Sequence, residues 1–181
     1  VVFNYVGPWT ISVSDNAEYR KYIRDAALKY GTIICKKKNN DKDPEEKYKN
    51  YYESSENVGR IKPHRVLAIN RAEDEDVINV NVELQPQRDV DYLKYKVVRN
   101  RDSLFKDELI SAIEDSYKRL IQPSIEREIR SDLTDIGEES AIDNFGKNLE
   151  SLLLTPPMKE MIVLAFDPGY VNGCKIAVVD P

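Results

Sequence analysis

Residues 122–157 read QPSIEREIRSDLTDIGEESAIDNFGKNLESLLLTPP. Ile125, Ile129, Leu133, Ile136, Phe145, Leu149 and Leu152 recur at intervals that fit one face of a helix. Glu126 with Arg130, and Asp143 with Lys147, are i,i+4 pairs of favourable polarity, each worth about 0.2–0.5 kcal/mol. Thr155-Pro156-Pro157 stops the pattern. Pro123 lacks a backbone donor and crowds the preceding turn, so a kink or a break with a restart is expected at Gln122-Pro123. Gly137 and Gly146 weaken the run by up to about 1 kcal/mol each relative to Ala. If Pro123–Leu154 forms one helix, it is about 48 Å long. A compact chain of this size has a radius of gyration of only about 16 Å. The expectation is an elongated scaffold with this helix as its spine.

Working outward, Phe105, Leu109, Ile113, Tyr117 and Leu120 mark a preceding helix, with Ser103 as its cap. Val90, Leu93 and Val97 fit a helical stripe, although Tyr92–Val98 would also pass as a strand. Residues 77–84 alternate, with Ile78, Val80, Val82 and Leu84 on one side and Asn79, Asn81 and Glu83 on the other, as in a half-buried strand. Pro63 suits the first turn of a short helix reaching about Arg71. Residues 37–60 show little apolar patterning and read as a linker or surface arm. Near the start, Asp15-Asn16-Ala17-Glu18 has the form of a capping box. Tyr19, Tyr22, Ile23, Ala26, Ala27 and Tyr30 then line one helical face, and Gly31 is expected to close it in a left-handed conformation. Thr32–Cys35 is short, β-branched and strand-like. Downstream, Met161–Phe166 and Cys174–Val179 flank a turn rich in Pro, Asn and Gly, which reads as a β-hairpin with Asp167 at the end of a buried strand.

The fold class that follows is mainly α with small β elements (α+β). The 181 residues carry 41% hydrophobic and 33% charged side chains, enough apolar content in periodic order to fold. Lys plus Arg is 27 against 32 for Asp plus Glu, a formal net charge of −5. That excludes a globally basic nucleic-acid-binding domain and leaves only local basic patches for such contact. The longest apolar stretches fall far short of the roughly 18–20 residues that span a bilayer, and no signal segment opens the chain. Cys35 and Cys174 make neither a disulfide framework nor a metal motif, so a reducing, intracellular setting is expected. Because the chain opens on Val1 and closes at Pro181 after an apolar run, it reads as a piece excised from a longer protein.

Few residues carry chemistry. Asp167, at the end of a strand that opens a Gly-containing hairpin, is where a metal-dependent phosphoryl-transfer site often begins, since Mg²⁺ takes hard oxygen ligands. Gly169 and Gly173 would let a nucleic-acid backbone approach closely. The same Asp167-Pro168-Gly169 is also ordinary turn chemistry. Arg65 and Arg71 on one short helix, and Lys36-Lys37-Lys38, are the candidate phosphate contacts; ion pairs for the arginines and simple solvation for the lysines are the plainer readings. His64 suits capping or packing as well as phosphate contact. Among the aromatics, Trp9 and the 11 tyrosines raise base stacking, and Tyr51-Tyr52 remain an open pair.

Leu164–Pro168-Gly169 with Gly173-Cys174-Lys175-Ile176-Ala177-Val178-Val179-Asp180 resembles the opening hairpin of the YqgF-type, RNase H-like domain in the Tex family of bacterial transcription accessory proteins. Tyr117–Arg130 resembles that family's central helical signature, as do residues 148–157 and 62–71, and Asp15–Arg24 fits more loosely. The likeness covers roughly residues 15–180. Ala72 stands where the family usually has Gly, and Tyr170-Val171-Asn172 replaces a turn that is commonly Phe-Arg-Thr. The resemblance implies a cytoplasmic factor that binds nucleic acid through its full-length form and influences transcription, with Lys175 beside the hairpin glycines as a further candidate contact. It also implies a division into residues 1–36 (N-terminal helical), 37–60 (arm), 61–157 (central helical scaffold) and 158–181 (the first hairpin of an incomplete RNase H-like domain). That domain is regarded as a degenerate nuclease relative, so no catalytic residue is assigned. Mg²⁺ is expected only if the domain is active, with Asp167 as one ligand. Two rival readings stand beside this one: a fragment of an Mg²⁺-dependent RNase H-like nuclease or resolvase, and a protein-interaction module that docks on the transcription or translation machinery.

Overall fold

The structure is a computed structural model that describes residues 6–38, 42–98, 105–156, 158–169, 171 and 173–180. The expected cap Ser103 and the turn residues Tyr170 and Asn172 lie outside the described residues, as does Pro157. The chain falls into two compact units, Val1–Ile142 and Asp143–Pro181.

In the first unit, helix α1 (Val6–Ser14) precedes α2 (Ala17–Tyr30), which starts at a cap formed by Asn16. The Asn16 Oδ1 accepts from the backbone N–H groups of Glu18 at 3.0 Å and Tyr19 at 3.2 Å, so the cap lies one residue later than the expected capping box. Glu18 therefore cannot reach back to the cap and pairs instead with Lys96 at 2.8 Å. Gly31 ends α2 in extended backbone, not in the expected left-handed conformation. Glycine is needed there for space: a Cβ would stand 2.4 Å from the Ala27 carbonyl oxygen and 3.3 Å from Val58 Cγ2.

Strand β1 (Thr32–Lys37) is the centre of a three-stranded antiparallel sheet, flanked by β2 (Ser55–Asn57) and β3 (Ile78–Glu83). Ile33 faces Val82 and Cys35 faces Val80 across the β1–β3 ladder, which puts the apolar side of the alternation in the core. Residues 37–60 differ from a linker. They supply β2, a short 3₁₀ turn at Lys49–Tyr51, and the buried side chains Tyr48 and Val58. A three-residue edge strand is too short to show a period, and single buried residues leave no pattern in sequence.

Helix α3 (Pro63–Asp74) has Pro63 in its first turn and buries Val66, Ile69 and Ala72. Ala72 is fully buried. Helix α4 (Pro86–Val97) buries Leu93 and, unexpectedly, Asp89. Helix α5 (Lys106–Ser116) passes through a π-helical turn, Tyr117–Ile121, straight into α6 (Gln122–Leu153). No break occurs at Gln122-Pro123. In the π turn the Gln122 N–H donates to the Tyr117 carbonyl, and this wider turn just ahead of Pro123 relieves the crowding its ring would impose.

The π turn also explains the burial pattern. Ile113, Tyr117, Ile121, Ile125, Ile129, Leu133 and Gly137 are all buried and recur at every fourth residue. In an uninterrupted α-helix each such step overshoots one turn by about 40°, so six steps would wander about 240° around the axis. Taking up one extra residue in a π turn reduces this to about 140°, a face that a globular core can cover. Gly137 is the last member. A Cβ on it would come within 3.1 Å of the Leu67 side chain, so α6 and α3 approach closely there. Ile136, expected on the buried face, is one step off this stripe and 54% exposed.

The second unit holds the last turns of α6 and a two-stranded hairpin, β4 (Val163–Asp167) and β5 (Lys175–Val179), paired antiparallel with Asp167 opposite Lys175. The hairpin is where the sequence places it, but β4 is not buried. Leu164, Phe166, Ile176 and Val178 are each more than half exposed.

Candidate nucleic-acid interface

At the hairpin, Gly173 takes a positive φ of 77°, which an L side chain rarely adopts. A Cβ on Gly169 would lie 2.4 Å from the Gly173 carbonyl oxygen. Closure of the turn therefore accounts for both glycines. Asp167 and Lys175 are brought face to face as a cross-strand pair, both exposed. Among the described residues, no group of three or more His, Cys, Asp or Glu side chains is placed to hold a metal ion. Asp167 has Lys175 as its direct cross-strand neighbour.

The other candidates lie in the first unit, and acids already engage several of them. Arg65 forms an ion pair with Glu56 of β2 and stands 5.2 Å over the Tyr51 ring. The Glu56 Oε1 meets Arg65 Nη2 by proximity without hydrogen-bond alignment, so this is a charge contact. Arg71 lies in the last turn of α3, where its charge acts on Glu75. Lys36 is exposed on β1. Lys37 stands 4.4 Å over the Tyr52 ring, while Lys38 and Lys42 both bind Asp76. These two lysines hold the Asp76 carboxyl at about 2, the hydrogen bond from Lys38 being the largest cause. Tyr52 donates to Asp43 Oδ2 at 2.6 Å, which pushes its hydroxyl up to about 12. Tyr48 donates to Glu75 Oε1 at 2.7 Å, and this bond, aided by Lys47 at 3.3 Å, keeps the Glu75 carboxyl low. The region around β1 and the end of α3 is thus a lattice of paired charges. Tyr51 and Tyr52 serve it as platforms for cations. His64 is exposed in the first turn of α3, and Trp9 is 53% exposed on α1.

Two polar clusters escaped the sequence reading. Arg130 of α6 binds Glu73 and Asn70 of α3, and the Asn70 amide donates to Thr134 Oγ1 at 2.8 Å. Together they clamp α3 to α6. Arg24 of α2 pairs with Glu128 at 2.6 Å in the same manner. The second cluster is Asp89, which accepts a hydrogen bond of 2.9 Å from the Tyr117 hydroxyl in the buried joint between α4 and the π turn. Its position was signalled: Asp89 lies four residues before Leu93, on the apolar stripe of α4. No helix among the described residues is long and apolar enough to cross a membrane.

Residues 10–145 match the family model described as Tex central region-like. A protein of Bacillus subtilis named "Uncharacterized protein YdcI" is 46% identical over 169 residues, covering 93% of this chain and 24% of that protein. The human protein named "S1 RNA-binding domain-containing protein 1" is 36% identical over 155 residues, 82% of this chain and 15% of its own length. The "Transcriptional accessory protein Tex" of Neisseria gonorrhoeae is 32% identical over 140 residues, 75% of this chain and 18% of its own length. The chain thus spans about a quarter or less of these relatives.

Proposed function

The chain belongs to the Tex family, and from that premise we propose that it is the non-catalytic helical scaffold of a Tex-like transcription accessory factor. It works in the cytoplasm and positions nucleic-acid-binding modules carried elsewhere in the longer protein. Residues 61–157 form the scaffold proper, and residues 158–181 are the first hairpin of a YqgF/RNase H-like domain. The names of the human and Neisseria relatives, one RNA-binding and one a transcriptional accessory protein, support association with nucleic acid in full-length relatives.

The observation that carries this reading is the charge pairing. Arg65 and Lys38, two of the side chains best suited to phosphate, are held by Glu56 and Asp76, within a chain of net charge −5. Phosphate binding would have to break those pairs against a mildly repulsive field. The test is filter binding of this chain to single- and double-stranded RNA and DNA at about 50 and 200 mM salt, the range over which several phosphate contacts reveal themselves. Weak binding with a shallow salt dependence is expected. Sub-micromolar, steeply salt-dependent binding would refute the scaffold reading. Incubation with Mg²⁺ adds the catalytic arm: the wild-type chain should leave both nucleic acids intact, and cleavage that disappears in Asp167→Asn would make it a nuclease.

A further inference from the structure

Asp89 is 2% exposed, and Tyr117, its partner across the joint, is also 2% exposed. One carboxylate oxygen accepts the Tyr117 hydroxyl at 2.9 Å, and the other, Oδ1, is buried without a hydrogen-bond partner. No cation neutralises it at contact distance among the described residues. Arg88, its neighbour in sequence, stands 4.3 Å over the Tyr30 ring of α2, and its charge reaches Asp89 only as a minor pull towards the ionised form. The other titratable groups bearing on the pair are Tyr117 itself and, from α6, Glu126, whose negative charge also acts on Tyr117. An ionised carboxylate so placed would keep a full charge in the core with a single hydrogen bond, an arrangement that proteins avoid by neutralising the group.

Tyr117 is the first residue of the π turn, whose extra residue keeps the buried stripe of α6 on the core. We propose that Asp89 and Tyr117 form a proton-dependent latch: as the neutral acid, Asp89 pins the π turn to α4, and loss of its proton to solvent loosens the joint. Burial raises the Asp89 carboxyl above the ordinary aspartate value, with the Tyr117 bond and then the Arg88 charge opposing in part. The sign follows. A raised value in the folded chain means that the stabilising contribution is complete below the unfolded value of about 3.9 and is lost as pH rises through the folded one.

The experiment compares wild type with Asp89→Asn, which keeps the shape and an acceptor for Tyr117 but cannot ionise. The folding equilibrium constant from urea unfolding is measured for both between pH 4 and pH 8. The wild-type constant, relative to the variant, is expected to fall at least fivefold over that range, and a smaller fall overturns the proposal. Should the variant fail to fold, the wild-type chain supplies the readout. Its Asp89 carboxyl carbon, followed by NMR, should titrate above the ordinary aspartate value of about 3.9, and a midpoint at or below that value overturns the latch. Amide exchange at residues 118–121, corrected for intrinsic pH effects, separates a latch from a merely buried acid. Protection there should decline as Asp89 ionises, and protection that ignores the titration refutes the link to the π turn.

Discussion

If the π turn exists to hold a four-residue repeat on the core, then deleting one residue inside it and deleting one residue beyond it must have opposite consequences. Removing Leu120 turns the π turn into plain α-helix. The helix before it and the helix after it keep their relative rotation, because the extra residue was what the π turn absorbed. Leu120 is 38% exposed, so its own loss is worth less than one buried side chain, about 1 kcal/mol. Removing Arg127, which is exposed and whose side chain donates to the Pro123 carbonyl, deletes a residue from regular helix. Everything beyond it then rotates by about 100° relative to what precedes it. Ile129, fully buried, and Leu133, 9% exposed, would leave the core. At about 1.5–3 kcal/mol for each side chain the loss is about 3–6 kcal/mol, a large part of the roughly 5–15 kcal/mol that holds a domain together. With a urea slope of about 2 kcal/mol/M, the Arg127 deletion should lower the unfolding midpoint by about 1.5–3 M and the Leu120 deletion by about 0.5 M. Circular dichroism during urea titration reads both. A Leu120 deletion as damaging as the Arg127 deletion would refute the reasoning.

Gly31→Ala should destabilise the first unit by about 1–3 kcal/mol in urea unfolding, because its Cβ meets a backbone carbonyl that cannot move aside, although the φ and ψ there suit any residue. Asn16→Ala should cost about 1 kcal/mol through loss of the two cap bonds, whereas Asp15→Ala should change stability little, which thermal unfolding distinguishes. The Asp76 carboxyl, followed by NMR, should titrate near pH 2, and Lys38→Met should raise its midpoint. Since its value is depressed in the folded chain, its contribution is present above the ordinary aspartate value and lost as pH falls through about 2.

What the sequence shows is what repeats locally. The alternation over 77–84 becomes β3, Pro63 opens α3, the stripe of Val90, Leu93 and Val97 becomes α4, and the two apolar runs after 160 become the hairpin. A repeat of exactly four residues is ambiguous in a way those patterns are not. It passes for a helical face over two or three turns, and only the summed rotation over seven positions shows that an unmodified helix could not keep it buried. The break expected at Pro123 came from weighing one residue against its neighbours, when the correction to the winding lies in the turn just before it.

Charge is harder still, because a lysine's availability to phosphate is a tertiary property. Lys38 and Asp76 are 38 residues apart in the chain, and Glu56 meets Arg65 only because β2 pairs with β1 at the edge of the sheet. Read locally, Lys36-Lys37-Lys38 is a basic run; in the fold, one of the three is bound to an acid and another lies over an aromatic ring. Asp89 is the converse case, a carboxylate that composition assigns to solvent and packing assigns to the core. In both cases sequence supplied the charge and the fold decided its state. A basic run in a net-acidic chain therefore argues for nucleic-acid contact only once the acids that could reach it have been placed elsewhere. Here two of them, Glu56 and Asp76, lie against the candidates themselves.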